Sequence, residues 1–270
     1  MTPAHLELLL APIAQDRPGG TDESYSPECD EVRKLRKGDD PSLSQGEWVR
    51  EIRTPQWPKV RDVCESILKT RSKDLQVACW YTEAIAYMEG FPGLAFGLTL
   101  LDGLLARYGD PSRPCLFPVD PEERIAKLEW FNAQMPLVIK SIPMSSPKAG
   151  GYSFLKWEES RLVENLGMRD PKAKETAIAE GKLSGETWER SATASGQGFY
   201  LRLFEQIQTG RKAFEDLERR VEERFAQEAP SLEGPREALK GCHELANQML
   251  RRFGLDPVSY THLTLPTNRE

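Results

Sequence analysis

Apolar residues recur at the spacing of an α-helix along almost the whole of this 270-residue chain. A helix brings residues i, i+3, i+4 and i+7 to one face, whereas a half-buried strand alternates apolar and polar side chains. Two clear helical runs are Val60, Val63, Cys64, Ile67 and Leu68, and Tyr200, Leu203, Phe204, Ile207, Phe214, Leu217, Val221 and Phe225. Before the last residues of the chain, no alternating segment of useful length occurs. The pattern therefore predicts an all-α fold.

Prolines, acidic residues and glycines mark where several predicted helices begin and end. Trp57-Pro58 places a proline in a first turn, and Asp74 is positioned to cap a helix that Gly90 stops. Asp120-Pro121 is followed by two glutamates, which suit the positive end of a helix dipole. Pro136 is expected to kink or end that helix, because proline lacks a backbone N–H.

The segment 141–152 is rich in proline, glycine and serine and is the predicted linker between two helical-bundle domains. The first domain is predicted over residues 1–140 and the second over residues 153–254. The second contains a long antiparallel helical hairpin over residues 200–253, with Ala229-Pro230 at its turn. Residues 255–270 lack the helical period and resemble a translated adaptor or vector read-through. We expect them to be a non-native tail, and the natural protein to be longer; the alternative is a native disordered tail.

Charge and hydropathy argue against several classes of partner. The chain has 36 Lys and Arg against 42 Asp and Glu, a net charge of −6. Nucleic acid is not expected as a partner, because phosphate binding needs a cationic surplus. Membrane insertion is not expected either, since the most apolar stretch, residues 91–106, is shorter than the roughly 20 residues required and contains Asp102. The five cysteines form no CxxC pair and are expected to be reduced thiols of a cytoplasmic protein.

No motif predicts catalysis. A GxSxG sequence is absent, and Gly181-Lys182 is followed by leucine instead of the Ser or Thr of a phosphate-binding loop. His243-Glu244 lacks the second histidine of a zinc-protease motif, since Asn247 stands in its place. Only three histidines occur, so general bases that titrate near neutral pH are scarce. We predict that the chain is not an enzyme and has no catalytic, cofactor-binding or metal-binding residues; a helical hydrolase is an alternative of a different class.

A basic cluster and the tryptophans are the remaining features that suggest contacts. Arg33, Lys34, Arg36 and Lys37 are followed by Asp39 and Asp40, a mixture expected at a solvated helix end rather than in a nucleic-acid patch. Most of the six tryptophans are expected to anchor the core, and one or two to act as hot spots for a partner.

A series of short motifs runs through the chain in a fixed order. In the first half they are Leu9-Leu10-Ala11-Pro12-Ile13, Pro18-Gly19-Gly20, Asp40-Pro41-Ser42, Gly46-Glu47-Trp48, Trp57-Pro58-x-Val60, Ser72-Lys73-Asp74-Leu75, Trp80-x-Thr82-Glu83-Ala84 and Leu128-Glu129-Trp130. They resemble the ImpA-type N-terminal domain. Trp157-Glu158-Glu159-Ser160-Arg161 and Ala229-Pro230-Ser231-Leu232 resemble the middle region of the TssA proteins of type VI secretion systems. Two departures from the family pattern, Gly109 and Arg113-Pro114, lie in one loop.

The resemblance selects ten candidate site residues. The sequence does not decide whether each of them lies in the core or at an interface. They are Pro12, Gly20, Trp57, Asp74, Trp80, Glu83, Trp130, Trp157, Arg161 and Pro230.

The resemblance also implies a function. It implies a cytoplasmic assembly component of a contractile, phage-tail-like injection machine, with baseplate, tube and sheath proteins as partners. We expect the family's separate ring-forming C-terminal domain to be missing from this sequence, either because the sequence is cut short at the read-through or because it is a short variant without the ring. The sequence leaves homo-oligomerisation open. The alternative within the same machine is an accessory protein that shares the ImpA-type domain and terminates sheath growth.

Overall fold

A computed structural model describes residues 2–38, 54–110 and 115–255. These residues form eleven α-helices and two short 3₁₀ turns. The α-helices are α1 (Pro3–Leu10), α2 (Pro27–Leu35), α3 (Trp57–Thr70), α4 (Leu75–Glu89), α5 (Phe91–Tyr108), α6 (Pro121–Ser141), α7 (Phe154–Arg169), α8 (Pro171–Ala179), α9 (Gly185–Ser195), α10 (Gln197–Phe225) and α11 (Glu233–Arg252). Within these ranges, β pairing is limited to three isolated bridges, which confirms the all-α prediction. None of these helices combines the length and apolar character needed to cross a membrane.

Some sequence predictions fall on other parts of the chain. The motifs Asp40-Pro41-Ser42 and Gly46-Glu47-Trp48, the departure Arg113-Pro114 and all but the first residue of the predicted tail lie outside the described residues.

The chain divides into two compact units. The first comprises Met1–Ile139 and Thr209–Arg236, and the second comprises Lys140–Gln208 and Glu237–Glu270. The first division, at Ile139, lies beside the end of the first predicted domain. The turn half of the predicted hairpin, by contrast, belongs to the first unit. Because a compact unit need not fold independently, the domains 1–140 and 153–254 stay a prediction.

Helices α4 and α5 form the centre of the first unit. Oδ1 of Asp74 accepts the N–H of Val77 at 2.9 Å and caps α4 as predicted, and Gly90, with φ of +66°, ends that helix. Most residues of α5 are buried, as its nearly uniform apolar character predicts. Gly97 permits close packing of the two helices, because a Cβ there would lie 2.5 Å from Cγ2 of Thr82.

Helix α6 continues through Pro136 and ends at Ser141, so the helix does not end at the proline. Pro136 cannot donate to the carbonyl oxygen of Asn132, four residues earlier. Gly234, in the same unit, packs against this gap. Its N–H donates to Oδ1 of Asn132 at 2.9 Å, and a Cβ there would lie only 2.8 Å from the Asn132 carbonyl oxygen. A segment distant in sequence thus covers the position where the helix lacks a hydrogen bond.

Three consecutive helices of the second unit, α7 to α9, each begin after a residue whose side chain accepts backbone N–H groups. The cap residues are Ser153, Asp170 and Ser184. Such caps satisfy donors that a helix leaves free at its first turn. The side chain of Trp188, in α9, is fully buried.

The predicted linker 141–152 is a hydrogen-bonded turn within the second unit. The N–H groups of Met144 and Ser145 donate to the carbonyl oxygen of Tyr152 at 2.8 and 3.1 Å. The N–H of Ser146 donates to Oγ of Ser195 at 2.8 Å. The prolines and glycines of this segment therefore serve a compact turn, and its role as a linker between domains stays a prediction.

Helices α10 and α11 run antiparallel, as the hairpin prediction requires. In the second unit the rings of Tyr200 and Phe253 lie 6.1 Å apart, and in the first unit Nη2 of Arg236 donates to Oε1 of Glu218 at 2.5 Å. Pairing of early α10 with late α11, and of late α10 with early α11, is the pattern of a helical hairpin.

Candidate functional site

One face of α4 carries three aromatic and acidic residues. Trp80, Glu83 and Tyr87 stand at i, i+3 and i+7 and so share that face of the helix. Trp80 and Glu83 are 4% and 5% exposed. A carboxylate removed from water costs free energy unless a cation or hydrogen-bond donors compensate it. Helix α4 therefore needs a positive partner at Glu83.

That partner is Arg36, the residue directly after α2. Its Nε donates to Oε2 of Glu83 at 2.5 Å. Its guanidinium carbon lies 4.7 Å from the ring centroid of Trp130 and 5.7 Å from that of Trp80, both within cation–π distance. The Arg36 cluster, made of Arg36, Trp80, Glu83 and Trp130, thus joins α2, α4 and α6 through one side chain.

The Arg36 cluster corrects the interpretation of the basic segment 33–37. Lys34 and Lys37 are exposed, as expected at a solvated helix end, but the side chain of Arg36 is only 17% exposed. The sequence contained one signal for this contact, because Glu83 stands in an otherwise apolar helix and needs a cation. Helical periodicity does not reveal which of the cations supplies it.

A stacked aromatic pair lies next along α4. The rings of Trp57 and Tyr87 are 4.5 Å apart and inclined by 14°. The N–H of Gln56 donates to the carbonyl oxygen of Leu35 at 2.9 Å, which holds the beginning of α3 beside the end of α2. Tyr87 is one helical turn beyond Glu83. We call Trp57, Tyr87, Trp80 and Trp130 the aromatic row.

Gly20 and Asp74 belong to a different part of the first unit. Gly20 has φ of +79°, and a Cβ there would lie 1.9 Å from the carbonyl oxygen of Arg71, so only glycine fits this loop crossing. Burial raises the pKa of Asp74 to about 6, although the N–H groups of Val77 and Gln76 oppose this shift. Both residues therefore have structural roles.

Lys73, between Gly20 and Asp74 in the sequence, is fully buried, and no carboxylate of the described residues forms an ion pair with it. Its Nζ donates to the carbonyl oxygens of Leu9 and Leu68, at 2.7 and 2.6 Å, near the ends of α1 and α3. Burial, with a smaller contribution from the charge of Arg107, lowers the pKa of Lys73 to about 8. The motif Ser72-Lys73-Asp74-Leu75 contained this residue, but its sequence gave no sign that the ammonium group is buried.

The other candidate residues lie outside the Arg36 cluster. Pro12 is exposed directly after α1, and Pro230 is partly buried in the turn between α10 and α11. Trp157 and Arg161 lie in α7 of the second unit, where Nη2 of Arg161 is 3.5 Å from Oε1 of Glu189. Of the ten candidates, the structure therefore brings Trp80, Glu83 and Trp130 together, with Trp57 adjoining them through Tyr87.

A polar cleft of about 430 Å³ lies beside His5 in the first unit. Nε2 of His5 is 3.2 Å from the Tyr81 hydroxyl and 3.5 Å from Oε2 of Glu65, and Nζ of Lys69 donates to Oε1 of Glu65 at 2.5 Å. Burial raises the pKa of Tyr81. The carboxylate of Glu65 in this cleft is thus ion-paired with Lys69. In the described ranges, no group of three or more His, Cys, Asp or Glu side chains is placed to hold a metal ion.

The chain is similar, in sequence and in fold, to known proteins of one class. Residues 10–133 match the family model "ImpA, N-terminal, type VI secretion system". The chain is similar to a solved structure of the N-terminal domain, including the conserved ImpA_N region, of the TssA component of the type VI secretion system from Burkholderia cenocepacia. That similarity has a TM-score of 0.81 and 29% identity, and it covers 94% of this chain and 96% of the other. The type VI secretion system component TssA1 of Pseudomonas aeruginosa is 33% identical over 148 residues.

Residues 10–133 thus belong to the ImpA N-terminal family of type VI secretion systems. Over nearly its whole length the chain is similar to the N-terminal domain of a TssA component, as its ordered motifs indicated. The aligned region is 53% of this chain and 42% of the Pseudomonas protein, so the chain matches less than half of that relative's length. All four members of the Arg36 cluster lie inside the family domain.

Proposed function

We propose that this chain is an assembly component that binds baseplate, tube and sheath proteins and so coordinates growth of the secretion tail. The observation that supports it most is the similarity to a TssA N-terminal structure over 94% of the chain. The same resemblance supports a cytoplasmic location and a non-enzymatic role. It also favours a TssA-like protein over the sheath-terminating accessory, because it extends through the second unit.

The aromatic row gives this proposal a physical basis. Trp, Tyr and Arg dominate the binding energy of many protein interfaces. Here Trp57, Tyr87 and Trp130 are partly exposed, while stacking and Arg36 hold them in fixed positions. A surface that is ordered before binding loses less conformational entropy when a partner arrives.

The test is a pull-down with the immobilised full chain and separately purified baseplate, tube and sheath proteins. We expect retention of at least one baseplate protein together with tube or sheath protein. A helical protein of the same net charge, immobilised at the same density, controls for non-specific adsorption. Retention of sheath protein alone would favour the sheath-terminating alternative, and retention of none would refute the proposal.

A further inference from the structure

We propose that two copies of this chain associate through the leucine stripe of α7, formed by Leu155, Leu162 and Leu166, with the two α7 helices antiparallel. This inference goes beyond the proposed function and does not depend on it. It rests on exposed apolar surface, on the balance of charge beside that surface, and on two opposite charges near its ends.

The leucine stripe is an apolar face of the second unit that lies in water. Leu155, Leu162 and Leu166 stand at i, i+7 and i+11 and so share one face of α7. Leu162 is 69% exposed and Leu166 is 40% exposed. With Val163 and Ala177, the stripe lines a cleft of about 580 Å³ along α7 and α8. Contiguous exposed apolar surface of this kind is typical of protein interfaces.

The charges beside the stripe are balanced within the second unit. Three ion pairs lie there: Glu158 with Lys140 at 2.9 Å, Glu159 with Lys156 at 2.8 Å, and Lys182 with Glu180 at 3.9 Å. Residues 154–184 contain six basic and six acidic residues, although the chain has a net charge of −6. A partner of one strong sign would meet like charge as often as opposite charge here. Two copies of an acidic chain, by contrast, repel each other least through a neutral face.

Two groups of opposite charge near the ends of the stripe make it self-complementary. Arg169, one turn after Leu166, is exposed and forms no ion pair with another described residue. Near the other end, Lys140 donates to Oε1 of Glu158, which leaves Oε2 of that carboxylate for a second donor. Glu158 and Arg169 stand at i and i+11, so they lie along the same edge of α7.

A twofold axis brings these two groups together. When two α7 helices run antiparallel and are centred between Leu162 and Leu166, Arg169 of one copy lies opposite Glu158 of the other. The same contact forms a second time with the two copies exchanged, as in every isologous interface. The leucines of both copies meet at the centre in this register. One alignment therefore satisfies both the apolar and the charged parts of the surface, which is the argument for a second copy as the occupant.

The size of the face indicates how strongly two copies associate. Helix α7 has 16 residues and is about 24 Å long, and with α8 beside it the face is about 20 Å wide. Two copies would bury about 1,000 Å² in total, which is near the lower limit for a specific interface. We therefore expect a dimer that forms at micromolar concentrations and dissociates on dilution.

Sedimentation velocity of the full chain between about 1 and 200 μM tests the association. We expect the weight-average sedimentation coefficient of the wild type to rise with concentration towards that of a dimer. Leu162→Glu/Leu166→Glu should stay monomeric throughout, because it places four carboxylates in the apolar centre of the interface. A wild type that is monomeric at about 200 μM, or a variant that dimerises as well as the wild type, would overturn the proposal.

A matched control comes from the other side of the same helices. Met168→Glu/Ile178→Glu makes the same change in charge at residues that are 85% and 41% exposed. Met168 is about 200° around α7 from Leu166, and both control residues line a different cleft. We expect this variant to dimerise within about twofold of the wild type. Equal losses in the two double variants would show that the stripe is not the interface.

Charge reversal tests whether the occupant is a second copy. Glu158→Arg puts cations at both ends of the stripe and Arg169→Glu puts carboxylates at both, so each variant alone should dimerise about tenfold more weakly. An equimolar mixture of the two should recover the wild-type association, because opposite charges then meet at both contacts. Such rescue also shows that both variants are folded. A mixture that associates no better than its components would contradict the antiparallel register.

The remaining outcomes separate this inference from the proposed function. If the wild type stays monomeric and Leu162→Glu/Leu166→Glu loses a secretion protein in the pull-down, the stripe binds that protein. The dimer is then wrong and the proposed function stands. If the chain dimerises through the stripe but retains no secretion protein, the proposed function fails and the dimer stands.

Discussion

The two units hold their loops and helix ends in different ways. In the first unit, buried cations donate directly to backbone carbonyl oxygens: Nε and Nη2 of Arg124 reach those of Pro118 and Leu116, each at 2.7 Å, and Lys73 does the same for two helix ends. Side-chain caps and part-exposed ion pairs occur in both units, as at Asp74 in the first and where Glu189 pairs with Arg252 in the second, and the buried cations are an addition in the first. Side chains thus hold loops and helix ends in both units, but the side chains that do so differ greatly in their exposure to water.

This difference predicts unequal sensitivity to mutation. A buried carbonyl oxygen that loses its donor cannot turn to water, and each such loss costs about 1–3 kcal/mol. An exposed ion pair exchanges one solvated state for another and contributes about 0–1 kcal/mol. We therefore expect the first unit to be destabilised far more by loss of a cation.

Arg124→Met should give the largest effect. Methionine preserves the apolar stem of the arginine side chain but lacks the N–H donors to two carbonyl oxygens. We therefore expect the free energy of unfolding to fall by about 4 kcal/mol. Urea denaturation followed by circular dichroism measures this change. The control is Arg190→Met, at a side chain that is 72% exposed, which should stay within about 0.5 kcal/mol of wild type. A loss below about 1 kcal/mol in Arg124→Met would contradict the buried-cation interpretation.

Lys73→Met should have an intermediate effect that depends on pH. At pH 7 we expect a loss of about 2 kcal/mol, because two carbonyl oxygens lose their donor while a buried charge is removed. The pKa of Lys73 is about 8 in the folded chain, against an ordinary value of 10.5. Between pH 8 and pH 10.5 the unfolded state therefore binds more protons than the folded state. The contribution of Lys73 to stability therefore rises as the pH increases from about 8 to about 10.5.

Urea denaturation of wild type and Lys73→Met at several pH values between 7 and 10 checks this sign. The difference between the two free energies of unfolding should widen as the pH increases, because the variant lacks the titrating group. Parallel curves would show that burial does not lower the pKa of Lys73.

Glu189→Gln in the second unit should have the smallest effect. Glu189 faces both Arg252 and Arg161 and is 38% exposed, so we expect a loss of about 0.5 kcal/mol that disappears in high salt. Thermal melts at low and high ionic strength measure it. A salt-independent loss above about 2 kcal/mol would mean that the two units do not differ in the way proposed.

Much of the fold could be predicted from local sequence. The periodicity at Val60, Cys64 and Ile67, the cap at Asp74 and the stop at Gly90 all describe interactions within one helix, and the structure confirms them. The passage of α6 through Pro136 was not predictable, because it involves Gly234, about a hundred residues away. The candidate site shows the same limit, since the motifs included Trp80, Glu83 and Trp130 but not Arg36.

Local sequence is enough to define the helices, their caps and the family motifs, because each depends on residues a few positions apart. Which charges are buried, by contrast, follows from the packing of distant helices. Arg36, Lys73 and Arg124 have the same sequence character as the exposed Lys34, and burial, not residue type, separates them. Whether a cation lies in water or against backbone oxygens and indole rings depends on how distant helices pack, and helical periodicity contains no information about that packing.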